Sequence, residues 1–199
     1  MGFLGLVLIG VLPAGCGGPA LLPEESALEE FQRGRELEQA GNLERAFDAY
    51  SSAIHLDPKL ASAYAARGHI YHQYNNVRTA LADLNTAVEL APEMAEAYNS
   101  RGLLLADLED YDRAVLDFSR AIDLDAGLVD AYYNRANLYF EAGEVGAALA
   151  DLTSAVAAEP DSARLYLTRA QVLIAAGRPA EAVPDLEEVL ALAGDDAMA

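Results

Sequence analysis

Tryptophan is absent from this chain of 199 residues, and cysteine and lysine each occur once. The lone cysteine, Cys16, excludes an internal disulfide. The lone lysine, Lys59, leaves arginine to carry nearly all positive charge, and 13 basic residues face 32 acidic ones for a formal net charge of -19. A molecule so charged repels nucleic acid and anionic lipid surfaces, which excludes nucleic-acid binding as a function class. β-Branched residues are few beside Ala and Leu, which favours helices. With no strand expected, no Gly-rich phosphate loop can follow one. Ser51, Ser52, Thr86 and Ser119 fall inside expected helices without a matched base, so nucleophilic catalysis has no support. The chain reads as a non-enzyme without cofactor or metal.

What is present is apolar material and order. The apolar fraction is 53%, with ten Tyr and five Phe to supply aromatic packing. Residues 61–94 set the unit: Tyr64, Arg67, Gly68 and Tyr71, a polar break at Asn75-Asn76, then Ala80, Leu84, Ala87 and a stop at Pro92. The next unit repeats it 34 residues on as Tyr98, Arg101, Gly102, Ala114, Phe118 and Ala121. A fixed period of that size is the signature of a stacked helical array. Units fall near 27–60, 61–94, 95–128, 129–162 and 163–194, giving an array over 26–194 and a disordered tail over 195–199. The first unit is the poorest copy, with Glu30 where later units carry Tyr64, Tyr98, Tyr132 and Tyr166, as suits an end that faces water. Pro179 suits a first helical turn, whereas Pro184 predicts a kink or a frayed end.

The amino terminus is different in kind. Phe3 to Leu12 is apolar and uncharged. The stretch up to Cys16 reaches about 24 Å as a helix, short of the ~30 Å hydrocarbon core, so residues 1–15 read as a signal-peptide segment and not a membrane span. Leu12-Pro-Ala-Gly-Cys16 resembles a bacterial lipobox. That resemblance implies cleavage before Cys16, a lipid on its thiol and a membrane anchor, with residues 16–25 as a tether. It also implies the outer membrane, facing the periplasm, where two membranes exist, because Gly17 and not aspartate follows the cysteine. The alternative is a leader without lipid, on a secreted or periplasmic protein.

The pattern Tyr-x-x-Arg-Gly-x-x-Tyr followed by Ala-x-x-x-Leu/Phe and Pro resembles the tetratricopeptide repeat. The resemblance implies an all-α, right-handed solenoid of about five helix-turn-helix hairpins. It also implies a concave groove, lined by the first helix of each pair, that binds protein or peptide. Small residues Gly34, Gly68, Gly102, Ala136 and Ala170 fit the close helix approach it requires. Groove-lining candidates are Phe31, Arg35, His69, His72, Asn99, Leu103, Tyr133, Asn137, Phe140 and Gln171, with Ala65 beside them. They make a mixed apolar and amide surface suited to an extended peptide or a partner helix. His69 and His72 have a spacing that metals can use, but no third ligand stands near them in the sequence.

Where that family prefers leucine, this chain has Arg33, Arg67, Arg101, Arg135 and Arg169. Sixteen residues after the last four come Asp83, Asp117, Asp151 and Asp185, while Ala49 follows Arg33. Arg67 and Asp83 are equally far from the turn at Asn75, so they lie level on antiparallel helices. Four half-buried Arg–Asp pairs are therefore expected as a register device, with Arg33 left over. The leading function is a membrane-anchored scaffold or adaptor in the cell envelope. The alternative is a self-associating homodimer, because no extra polar helix covers the last pair.

Overall fold

The computed structural model describes residues 22–196. Cys16, the leader expected over 1–15 and most of the tether lie outside them. Among the described residues all regular structure is helical. The helices are α1 (Pro23–Gln39), α2 (Leu43–Leu56), α3 (Ala61–Gln73), α4 (Val77–Leu90), α5 (Ala95–Asp107), α6 (Tyr111–Leu124), α7 (Val129–Glu141), α8 (Val145–Ala158), α9 (Ala163–Ala175) and α10 (Pro179–Asp196). Odd and even helices pair as hairpins, and each even helix packs on the next hairpin's first helix. The first helices also touch one another from unit to unit, α3 on α5 and α5 on α7. The result is an all-α helical solenoid.

Small residues set the spacing. Ala46, Ala80, Ala114, Ala148 and Ala182 are wholly buried at the 34-residue interval, as are Ala53, Ala87, Ala121 and Ala155. Facing them, a glycine or alanine on each first helix admits a large side chain from the second. A Cβ on Gly102 would stand 2.7 Å from the Phe118 ring. Leucine fills the same place in the second and fourth units, where Leu84 meets Gly68 and Leu152 faces Ala136. Burying one such aromatic or leucine contributes about 1.5–3 kcal/mol, so these repeated contacts hold the stack together.

Every hairpin turns through a residue with positive φ at the same register: Gly41 (76°), Asn75 (57°), Glu109 (60°), Gly143 (79°) and Gly177 (74°). Glycine fits that left-handed conformation without steric cost, whereas Glu109 carries it with a side chain.

Three boundaries depart from the sequence reading. Helix α1 begins at Pro23, inside the segment 16–25 read as a tether. Pro23 occupies the first helical position, where no N–H is needed, and the Glu25 carboxylate accepts from the Leu22 N–H at 3.0 Å. Helix α10 runs to Asp196, so two residues of the expected tail are helical and 197–199 lie outside the described residues. Pro184 sits inside α10, with helix on both sides. Ala180, whose carbonyl would take the missing N–H, is exposed, so that carbonyl lies on the solvent side of the helix.

Candidate functional site

The first helices present two faces with different chemistry. One carries the arginines inward. Arg67 Nε donates to Asp83 Oδ2 at 2.8 Å and Nη2 donates to Asp83 Oδ1 at 3.0 Å. The same side-on fork joins Arg101 to Asp117, Arg135 to Asp151 and Arg169 to Asp185, with every hydrogen bond between 2.6 and 2.9 Å. All four aspartates are buried. The structure thus brings together all eight residues of the expected pairs. For Arg101, Arg135 and Arg169 the aspartate's hydrogen bond is the largest influence and holds the guanidinium above its ordinary pKa. For Arg67 burial pulls downward most strongly, yet the bond and charge of Asp83 outweigh it. Tyrosine rings flank these guanidinium groups, at 5.5 Å from Arg101 to the Tyr98 centroid and 5.8 Å from Arg135 to that of Tyr139.

The third arm of each fork was not anticipated. Nη1 of Arg67, Arg101, Arg135 and Arg169 donates to Ser51, Asn85, Ser119 and Thr153 respectively, at 3.4, 3.0, 2.8 and 3.4 Å. Each acceptor belongs to the preceding unit. One arginine therefore ties its own hairpin together and fastens it to the one before. The signal was present as a small polar residue sixteen positions before each arginine. Arg33 has Ala49 where its aspartate would be, and it lies 2.9 Å from Glu30 instead, with its side chain 55% exposed.

The other face carries the groove candidates. Arg35, His69, Leu103, Phe140 and Gln171 are exposed, while Phe31, His72, Asn99, Tyr133 and Asn137 are half-buried. Ala65, read as a lining residue, is buried under its neighbours. Large apolar side chains stand exposed on four of the five first helices: Leu28, Leu103, Phe140, Leu167 and Ile174. Phe140 lies seven positions after Tyr133 and three after Asn137, and Leu167, Gln171 and Ile174 repeat that spacing, so each set shares one helix face.

Several polar candidates are already engaged across units. His69 Nδ1 lies 3.1 Å from Glu38 Oε1, and the Tyr50 hydroxyl donates to Glu38 Oε2 at 2.6 Å. The hydrogen bond with His69 is the main influence that lowers the Glu38 pKa, with Tyr50 adding to it and burial opposing. The Tyr50 hydroxyl is in turn held well above its usual range by burial and then by Glu38. His72 Nε2 lies 2.6 Å from Asp107 Oδ2, so the two histidines serve different carboxylates. Asn134 Nδ2 donates to Asn99 Oδ1 at 3.0 Å. Arg164, which the sequence reading passed over, bonds Asp130 at 3.2 Å and stacks 4.4 Å from the Tyr133 ring centroid. Among the described residues no three His, Cys, Asp or Glu side chains gather to hold a metal ion, and no helix is long and apolar enough to cross a membrane.

Comparison with known proteins matches this architecture. No match was found among curated proteins. The chain is similar in fold to MamA, with 24% identity and a TM-score of 0.71 over 83% of this chain and 97% of that one. It is similar to PilW, described as a widely conserved type IV pilus biogenesis factor, with 21% identity and a TM-score of 0.76 over 84% of this chain and 78% of that one. It is also similar to YrrB, described as a TPR protein with an unusual peptide-binding site, with 21% identity and a TM-score of 0.63 over 85% and 87%. Family profiles described as TPR repeat match residues 34–75 and 102–143, and profiles described as tetratricopeptide repeat match 61–94 and 133–197. Most of the chain is thus matched, and the chain belongs to the tetratricopeptide-repeat family.

Proposed function

We propose that this protein is a binding scaffold that holds a protein or peptide partner along the groove of its first helices. The supporting observation is the row of exposed Leu28, Leu103, Phe140, Leu167 and Ile174, set among amides on rigid helices. Apolar anchors with a few fixed polar groups suit a helix or an extended segment, and exposed apolar side chains in a row mark an interaction face. The description of YrrB as peptide-binding supports the same reading for a similar fold. The ion-paired arginines are structural in this reading, because each guanidinium faces inward and donates from all three nitrogens to side chains of its own and the preceding unit.

Anchoring completes the proposal. Cys16, lipidated, would hold the array at an envelope membrane and act as an adaptor there. The apolar run from Phe3 to Leu12 and the sequence Leu12-Pro-Ala-Gly-Cys16 support it. More than one acyl chain gives stable attachment. Metabolic labelling with a fatty acid should mark the native chain and spare Cys16→Ala; equal labelling of both ends the lipid reading. Photocrosslinking in cells from Asn137 should trap a discrete partner that a probe at exposed Glu187 does not. Identical products from both positions would remove the groove from the proposal.

A second reading has its own observation. Val183, Leu186 and Leu190 are exposed on one face of α10, the last helix, where another helix would pack in a longer array. Two chains could cover these faces mutually. Light scattering would then give a dimer that Leu190→Glu converts to monomer, whereas a native monomer removes this reading.

A further inference from the structure

We infer a second docking site, outside the groove, that takes a large apolar side chain flanked by basic residues. Between α6 and the α7–α8 hairpin lies a cleft of about 400 Å³ lined by Asp112, Val115, Leu116, Leu138, Tyr139 and Glu144. A smaller cavity adjoins it through Tyr111, Leu138 and Ala142 and adds Glu141. The mouth is apolar and open to solvent, with Leu116 67% exposed and Tyr111 47% exposed.

The cleft arises from substitutions at one junction. Between the first two units the corresponding space is filled by Phe47 and Tyr71, edge to face with centroids 5.1 Å apart. Between the second and third, Leu81 packs against the cluster around Leu105, and Leu108 stands where the next unit has Ala142. Between the third and fourth units Phe47 and Leu81 give way to Val115, and Tyr74 and Leu108 give way to Ala142. Two small residues leave the space empty. On its rim, Leu116 replaces Asp48 and Ala82, and Tyr111 replaces Leu43 and Val77. The last junction differs again, because Arg169 and Arg178 line it, each bound to a carboxylate.

Charge selects the occupant. Asp112, Glu141 and Glu144 border the two cavities, and no cation lines either. The neighbouring Arg113 is bound to Asp110 at 3.1 Å. A segment with one aromatic or branched apolar residue between lysines or arginines satisfies both features, and the chain's net charge of -19 draws it in. This site is independent of the groove reading.

The test is fluorescence anisotropy with the full chain and a labelled synthetic peptide, one phenylalanine between flanking lysines. Binding should weaken with salt, and should be lost when the peptide's phenylalanine becomes alanine or its lysines become glutamates. Ala142→Leu fills the cleft with the residue that Leu108 already places one unit earlier, and should weaken binding about tenfold or more. The surface pair Asp112→Asn with Glu144→Gln should weaken it and flatten the salt dependence. Absence of binding, equal binding of the alanine peptide, or full affinity in Ala142→Leu overturns the proposal. Loss of binding in the groove variant Leu103→Asp, with Ala142→Leu unaffected, puts the peptide in the groove and also overturns it. So does a native dimer that Ala142→Leu dissociates, since the cleft then receives a second copy of this chain.

Discussion

Arg135 and Asp151 share two hydrogen bonds of 2.8 and 2.7 Å across the fourth hairpin, while the arginine's remaining arm reaches Ser119 in the third at 2.8 Å. Removing the arginine alone leaves a buried carboxylate without its partner. Arg135→Leu should therefore cost about 3–5 kcal/mol. Replacing both residues, Arg135 by Leu and Asp151 by Tyr, should recover most of that loss, because no charge is left stranded. Urea midpoints of the two variants decide it, and coincident midpoints would refute the buried-pair account.

Gly102 and Phe118 are matched in size. Gly102→Ala drives a methyl group into a ring that has nowhere to retreat, and should cost about 1–3 kcal/mol. Phe118→Leu in the same chain should restore part of it, since the Ala136 and Leu152 combination already exists two helices away. Thermal unfolding of the single and double variants measures the coupling. If the double variant is no better than the sum of the two singles, the size match is not the constraint.

The turns make a backbone prediction without side-chain contacts. Glu109 holds a φ of 60°, and Gly143 holds the same place at 79° with open space where a Cβ would stand. Glu109→Gly relieves strain but adds unfolded-state entropy, and the net should be a gain of up to about 1 kcal/mol. Gly143→Ala should lose about 1 kcal/mol from strain alone. Shifts of the same sign in both variants would contradict this account.

How much was readable beforehand depends on whether a contact lies within a repeat or between repeats. Arg67 and Asp83 could be paired from sequence because the turn at Asn75 is equidistant from both, and antiparallel geometry does the rest. Gly102 was legible only as a small residue that close helix approach requires, and its contact with Phe118 emerged from the structure. Contacts between units need the offset of one hairpin on the next, which no single period reveals. Hence Ser51 and Ser119 passed as ordinary helix residues, although they receive the arginines' third arm. Hence too His69 and His72 read as free groove residues, although Glu38 and Asp107 hold them from neighbouring helices. Cys16, the residue on which anchoring rests, lies outside the described residues, so its case remains the sequence around it.

Glu38 supplies a pH dependence whose sign is fixed by its environment. The hydrogen bond with His69, aided by the Tyr50 hydroxyl and opposed by burial, holds the carboxyl below its ordinary value of 4.5. A lowered folded value means that the stabilisation is fully present above pH 4.5 and disappears as pH falls through the lower folded value. Glu38→Gln should thus destabilise the array near neutrality, and its penalty should shrink as the medium is acidified below that point. Denaturation at successive pH values measures it. A penalty independent of pH would mean that the charge of Glu38 contributes nothing.

Arg33 offers the strictest test of what builds a rung. Its side chain is 55% exposed and pairs, among the described residues, with Glu30, and Ala49 occupies the wholly buried place where the other units carry aspartate. If a rung needs only a sixteen-residue spacing across a hairpin, Ala49→Asp should recruit Arg33 away from Glu30. Two residues that come into direct contact show coupling of about 0.5–3 kcal/mol. A double-mutant cycle over Ala49→Asp and Arg33→Leu should therefore return a coupling of about 1–3 kcal/mol, with the carboxylate tolerated only while the arginine is present. Among the described residues no acceptor from another unit meets Arg33, whereas Ser51, Asn85, Ser119 and Thr153 meet the other four arginines. A coupling near zero would show that the arginine must first be held by the preceding hairpin before it can receive an aspartate in its own.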